Sequence, residues 1–132
     1  MIRPYKGRWP RLGERVFVDA SAQVIGDVEL GDHASVWMNA VVRGDVIGPR
    51  CLIGIGAIVL TGAEVGEESV VAAGSLVPEG MKVPPGSMVM GVPAKVRRPV
   101  TDEERQGLRR LAESYLGYKE TYLEESSSSP RE

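Results

Sequence analysis

Few side chains in this sequence are of a kind that does chemistry, and their isolation is informative. There is one histidine, His33, and one cysteine, Cys51. A catalytic zinc centre takes about three protein ligands and keeps a further position open for water. One histidine per chain reaches that number only if three copies share an axis, and nothing in the spacing around His33 supports such a site. Cys51 would be a nucleophile only with a lowered pKa, and no histidine or lysine stands near it in the chain. Arg43 and Asp45 flank Gly44 and could form an ion pair, while Asp45 by itself is a poor general base. Lys95, Arg97 and Arg98 make a short basic patch. A phosphate or coenzyme could use it, but a solvated face beside an acidic helix is the plainer reading. No Gly-rich phosphate loop, Cys-x-x-Cys pair or Ser/His/Asp arrangement occurs.

The elements that position these residues follow a period of six. An aliphatic side chain recurs at Leu12, Val18, Val24, Leu30, Val36 and Val42, and a small or slim one follows four places later at Val16, Ala22, Val28, Ala34, Ala40 and Val46. The pattern slips by one residue and resumes at Ile47, with Ile53, Val59, Val65, Val71, Val77, Val83 and Val89. The small series resumes beside it as Cys51, Ala57, Ala63, Ser69, Ser75, Met81 and Ser87. Neither a helix nor an ordinary strand has this period. A triangular coil does: six residues make a side, and three sides make a turn of about eighteen residues. The aliphatic fills the interior from a wall and the small residue fits a corner, so Cys51 reads as a buried, inert core residue. Gly26, Gly44, Gly56, Gly62 and Gly74 suit corners that need positive φ. His33, one place before a corner residue, is expected outside and exposed. Trp37 and Met38 also lie off the inward series, where a subunit interface would use them.

The predicted fold is therefore an all-β solenoid, a left-handed parallel β-helix of hexapeptide repeats with a C-terminal α-helix. Residues 1–11 form an N-terminal cap segment over the first turn, and 12–96 the β-helix. Segment 97–124 carries the helix, with its body at about 102–123, and 125–132 is a disordered tail. Thr101 with the acids that follow reads as an N-cap and first helical turn, and Leu108, Leu111, Ala112, Tyr115, Leu116 and Tyr122 recur at helical spacing. The composition agrees with a narrow core: 132 residues hold sixteen glycines, nine prolines and a single phenylalanine. The formal charge of −2 supplies no strong field toward nucleic acid or an anionic membrane. No stretch reaches the ~20 apolar residues of a membrane span. The start lacks a secretory pattern and Cys51 has no partner, so a cytoplasmic setting is expected.

Several segments carry a family resemblance. Ile2-Arg3-Pro4-Tyr5, Val24-Ile25-Gly26-Asp27-Val28, Ser35-Val36-Trp37 and Val41-Val42-Arg43-Gly44-Asp45 resemble the gamma-class carbonic anhydrases and their close relatives. So do Gly54-Ile55-Gly56-Ala57-Ile58-Val59, Pro84-Pro85-Gly86-Ser87 and Gly91-Val92-Pro93-Ala94-Lys95. The resemblance covers nearly the whole chain, and it implies a homotrimer. It also implies zinc or another divalent metal between subunits, held by three histidines from two chains, and a metal-activated water that attacks carbon dioxide. By resemblance, Arg43 and Asp45 occupy catalytic-site positions in an ion-pair network near that metal; a structural ion pair at a corner is the plainer reading.

The sequence departs from the family where those histidines should stand. Val46 runs directly into Ile47-Gly48-Pro49-Arg50, a segment that resembles one further downstream in relatives, and the one-residue slip falls at that join. About two turns are missing, with all three ligands, so no metal and no cofactor is expected in this chain. Three readings follow. The first is a gamma carbonic anhydrase-like protein that is catalytically silent. The second is a hexapeptide acyltransferase binding acyl-coenzyme A, with His33 as its candidate histidine. The third is a non-catalytic scaffold or shortened form, trimeric or altered in assembly by the lost turns.

Overall fold

The structure is a computed structural model that describes residues 1–111. Its strands run in chain order as β1 (Ile2–Arg3), β2 (Arg11–Leu12), β3 (Phe17–Val18), β4 (Gln23–Ile25), β5 (Glu29–Leu30), β6 (Ser35–Val36), β7 (Val41–Val42) and β8 (Val46–Ile47). They continue as β9 (Leu52–Ile53), β10 (Ile58–Val59), β11 (Glu64–Val65), β12 (Val70–Val71), β13 (Leu76–Val77), β14 (Lys82–Val83), β15 (Ser87–Gly91) and β16 (Ala94–Pro99). One helix, α1, begins at 102 and is described to 111.

Most strands are two residues long because each wall of the coil needs only one outward and one inward side chain. Stacking sorts them into three sheets, β1-β4-β7-β10-β13, β14-β11-β8-β5-β2 and β16-β15-β12-β9-β6-β3. Every pairing is parallel except the last, the β15–β16 hairpin. This is the left-handed parallel β-helix with a C-terminal helix that the period of six predicts. The inward column of Val24, Leu30, Val36, Val42, Ile47, Ile53, Val59, Val71 and Val77 is wholly shielded from solvent, as are the corner residues Ala22, Ala34, Ala40, Ala57 and Ala63.

The slip in the sequence is a real feature of the coil. Val24 pairs with Val42 and Val59 with Val77, each eighteen residues on, but Val42 pairs with Val59 after seventeen. The same shortening occurs on the other walls, where Leu30 meets Ile47 and Val36 meets Ile53. The missing residue is in the corner between β7 and β8.

Four expectations need correction. Leu12 belongs to the inward series by period but is 43% exposed, because no strand of residues 1–11 lies over its sheet. The cap segment covers one wall, through β1 on β4. Val46 is not an inward corner residue: it is the outward member of β8, paired with Glu29 and Glu64. Residues 97–99 belong to β16 rather than to the helical segment. The helical reading beyond 111 and the tail at 125–132 lie outside the described residues.

Thr101 caps α1 as its sequence suggests. Its Oγ1 accepts the Glu104 N–H at 3.1 Å and its own N–H donates to Glu104 Oε1 at 2.9 Å, a reciprocal capping box. Arg98 grips the same carboxylate at 2.6 and 2.9 Å. Leu108 is buried, and Arg109 lies 3.7 Å from Glu68 on the coil.

Candidate functional site

The residues singled out by the resemblance, Arg43 and Asp45, form the shortened corner itself. At ordinary corners the small residue donates its N–H back three places, as Ala57 does to Gly54 at 3.1 Å and Ala63 to Leu60 at 3.2 Å. Asp45 instead donates forward to Ala63 of the next coil at 2.8 Å. With one residue fewer, the corner has no left-handed residue: Gly26, Gly56, Gly62 and Gly74 have positive φ as expected, and Gly44 does not. What Gly44 provides is clearance, since a Cβ there would meet the Ala63 carbonyl oxygen at 2.9 Å. Both flanking side chains are turned outward and exposed.

No ion pair joins Arg43 to Asp45 within 4 Å, so the corner ion pair expected from sequence is not formed within the chain. The Arg43 guanidinium lies 4.9 Å from the centre of the Tyr5 ring, a cation–π contact. Tyr5 also packs its Cβ against Gly26. Sequence reasoning missed this partner because the contact depends on β1 joining β4 at a separation of twenty-two residues, Ile2 to Val24, which no local spacing shows.

His33 is on a different edge of the prism, at the corner between β5 and β6. Its φ is 62°, its N–H donates to Glu14 of the coil before at 2.9 Å, and its side chain is half-buried rather than exposed. The structure does not bring it together with Arg43 and Asp45. Trp37 and Met38 are half-buried on the outside of the coil, with Trp37 Nε1 3.4 Å from Ser35 Oγ. Cys51 is buried as expected, its Sγ 3.0 Å from the Gly66 carbonyl oxygen; burial pushes its thiol pKa up to about 12, away from reactivity. Of the basic patch, Lys95 is exposed, Arg97 donates to the Met90 carbonyl, and Arg98 is held by Glu104.

These residues do not fit the metal that the resemblance implies. A three-imidazole centre needs ligands the chain does not have, since His33 is its single histidine. Among the described residues no group of three His, Cys, Asp or Glu side chains is placed to hold a metal ion.

Comparison with known proteins bears on the same corner. The profile described as "Bacterial transferase hexapeptide (six repeats)" matches residues 10–44 and 46–79, breaking at Asp45. Protein YrdA of Escherichia coli K12 is 31% identical over 177 aligned positions, covering 96% of this chain and 96% of that protein. Since this chain has 132 residues, 177 − 132 leaves at least 45 positions of the alignment with no residue here. The carbonic anhydrase of Geobacillus kaustophilus is 35% identical, over 88% of this chain and 87% of that protein. A hexapeptide transferase family protein of Anaplasma phagocytophilum superposes with a TM-score of 0.59 at 31% identity, over 92% of this chain and 98% of that one. Serine acetyltransferase of Neisseria gonorrhoeae gives 0.63 at 28% identity, over 70% of this chain and 40% of that one. Repeat, coil and relatives agree: the chain belongs to the gamma-class carbonic anhydrase-like family of hexapeptide-repeat proteins.

Proposed function

We propose that this chain is a metal-free member of the family, a β-helical scaffold that does not hydrate carbon dioxide. The observation that carries this is the shortened turn at Asp45, where the coil closes directly across the join. Deleting whole turns from a solenoid is tolerable because each turn contacts mainly its neighbours. The inward column passes through the join without an exposed member, from Val42 to Ile47. Hydration in the family's manner needs a bound water whose pKa is lowered to ~7 by a metal. Among the described residues no side chains form a substitute ligand set, and Arg43 and Asp45 are read as residues of a subunit boundary rather than as catalytic groups.

Self-association is part of this proposal. The wall formed by β4, β7, β10 and β13 turns Ile25, Val41, Ile58, Leu60 and Leu76 outward, an apolar face suited to a homo-oligomer. The family resemblance makes that oligomer a trimer. The wall formed by β2, β5, β8, β11 and β14 instead carries Arg11, Glu29, Glu64 and Lys82, with Lys82 paired to Glu64.

The test is elemental mass spectrometry on untagged protein, with stopped-flow carbon dioxide hydration on the same sample. Metal far below one ion per chain, together with the uncatalysed rate, is the expected result. Stoichiometric zinc, iron or cobalt with rapid hydration would overturn it.

The hexapeptide acyltransferase reading is supported by the likeness to serine acetyltransferase of Neisseria gonorrhoeae and by the bacterial transferase hexapeptide profile. It predicts saturable coenzyme A binding that His33→Ala removes, which isothermal titration would show directly.

A further inference from the structure

The formal charge of −2 conceals an uneven distribution. Residues 1–18 hold five basic side chains, Arg3, Lys6, Arg8, Arg11 and Arg15, against one acid, Glu14. That segment is +4, so the remainder of the chain is −6. All five basic residues are exposed. They surround the end of the prism where the coil is incompletely covered: β2 and β3 are the outer strands of their sheets, and β1 extends the third.

The same end exposes large apolar side chains. Met1 is 60% exposed, Trp9 59%, Tyr5 50% and Leu12 43%. An aqueous solenoid end is normally closed by polar residues. An end that combines uncovered apolar surface, a Trp, a Tyr and a ring of cations has the chemistry of a surface for the lipid–water interface. There aromatic side chains settle at the headgroup level and basic ones meet anionic lipid. We propose that the N-terminal end of the β-helix docks end-on to an anionic lipid surface, with Trp9, Tyr5 and Met1 at the interface and Arg3, Lys6 and Arg15 contacting headgroups.

Charge complementarity selects this occupant. Arg11 and Arg8 are drawn back toward Asp27, at 2.6 and 3.9 Å, and Lys6 leans over the Tyr5 ring at 5.5 Å. Arg3 and Arg15 have no carboxylate within 4 Å among the described residues. The acidic body of the chain is repelled by the same surface, which fixes the approach to this end. The opposite end also exposes Val92 and Val96 beside Lys95, but the hairpin has no aromatic residue and Arg98 is held by Glu104.

The experiment is co-sedimentation of the whole chain with vesicles of phosphatidylcholine alone and of phosphatidylcholine with about 30 mol% phosphatidylserine. Each basic side chain at an anionic surface strengthens partitioning roughly five-fold. The triple substitution Arg3→Ser, Lys6→Ser, Arg15→Ser is therefore expected to weaken binding to the anionic vesicles by roughly a hundred-fold. About 0.5 M NaCl should have a similar effect. Trp9→Ser weakens binding to them less, and Lys95→Ser leaves it unchanged. Far-UV circular dichroism confirms that each variant is folded, and Trp9→Ser keeps the proposal testable if the triple variant is not. Equal partitioning to both vesicles, or loss of binding through Lys95→Ser alone, would overturn the proposal. So would tighter binding to a DNA duplex than to the anionic vesicles, or an end masked by self-association that Trp9→Ser releases.

Discussion

Two corners of the coil occupy the same place one turn apart, and they are built differently. At Ala63 four residues turn the chain from β10 to β11, Gly62 takes positive φ, and the alanine methyl is completely buried. At Asp45 three residues turn it from β7 to β8, no residue is left-handed, and the side chain in the equivalent position is exposed. The backbone equivalence is direct, since Glu29 donates to the Asp45 carbonyl as Glu64 donates to that of Met81 and Arg11 to that of Val28. A regular corner fixes both a backbone hydrogen bond and an inward filler. The shortened corner keeps the bond accepted by its carbonyl, turns its own N–H to Ala63 of the next coil and drops the filler. The stacking of the walls thus carries the fold across the join, while the corner side chain is dispensable there.

The largest effect that follows is at the regular corner. Ala63→Asp puts a carboxylate into a slot with no solvent and no cationic partner, where it must be neutralised or left uncompensated. A loss of about 3 kcal/mol or more is expected, read as a fall in the urea midpoint. An Ala63→Asp protein as stable as the parent would mean that the two corners can adopt the same shape.

A corner filled by a titratable side chain sharpens the contrast through pH. Cys51 fills the slot at the corner between β8 and β9, and burial holds its thiol at about 12 against an ordinary 9.0. The folded chain therefore keeps a proton that the unfolded chain releases above pH 9. Its contribution to stability is constant below that point and falls by roughly 1 kcal/mol per pH unit toward 12. Cys51→Ala should flatten this part of the stability profile. At pH 8 the native thiol should resist alkylation until urea unfolds the chain.

The end of the repeat offers a smaller effect, because there a side chain rather than a neighbouring coil completes the backbone. Thr101→Ala removes the cap of α1 and should cost about 1 kcal/mol, seen as faster amide exchange in 102–111 with the coil unaffected. The Glu104 carboxyl is held down at about 2, chiefly by Arg98 and then by the Thr101 N–H. Its folded pKa lies below the ordinary 4.5, so its stabilisation is present above that pH and is lost as pH falls toward 2. Fraying of α1 over that acid range, absent in Glu104→Gln, is the expected signature.

Much of this was legible in the sequence because the coil reads its own period. Val24 to Val42 and Ile47 to Val89 announce the walls, and the slip between Val42 and Ile47 marks the join. What escaped was whatever the period does not govern. Val46 scans as a corner filler by counting from Val42, yet the corner is closed by stacking on the next turn, and counting back from Ile47 places Asp45 there instead. Leu12 has the right spacing but no layer above it. The Tyr5 contact with Arg43 joins the cap to the coil across a separation that no repeat encodes.

The smallest predicted effect tests the comparison most directly. If the filler at the shortened corner is dispensable, removing the Asp45 side chain should matter little, for the carboxylate is exposed and makes no ion pair within 4 Å among the described residues. Asp45→Ala is expected to change stability by no more than about 0.5 kcal/mol, the range of ordinary surface substitutions. It leaves the Asp45 N–H bond to Ala63 in place because that bond is made by backbone. In an oligomer the result divides further. An unchanged monomer stability with weakened self-association in sedimentation would place Asp45 at a subunit boundary, opposite a cation of another copy. No change in either would leave the backbone as the entire reason the join holds.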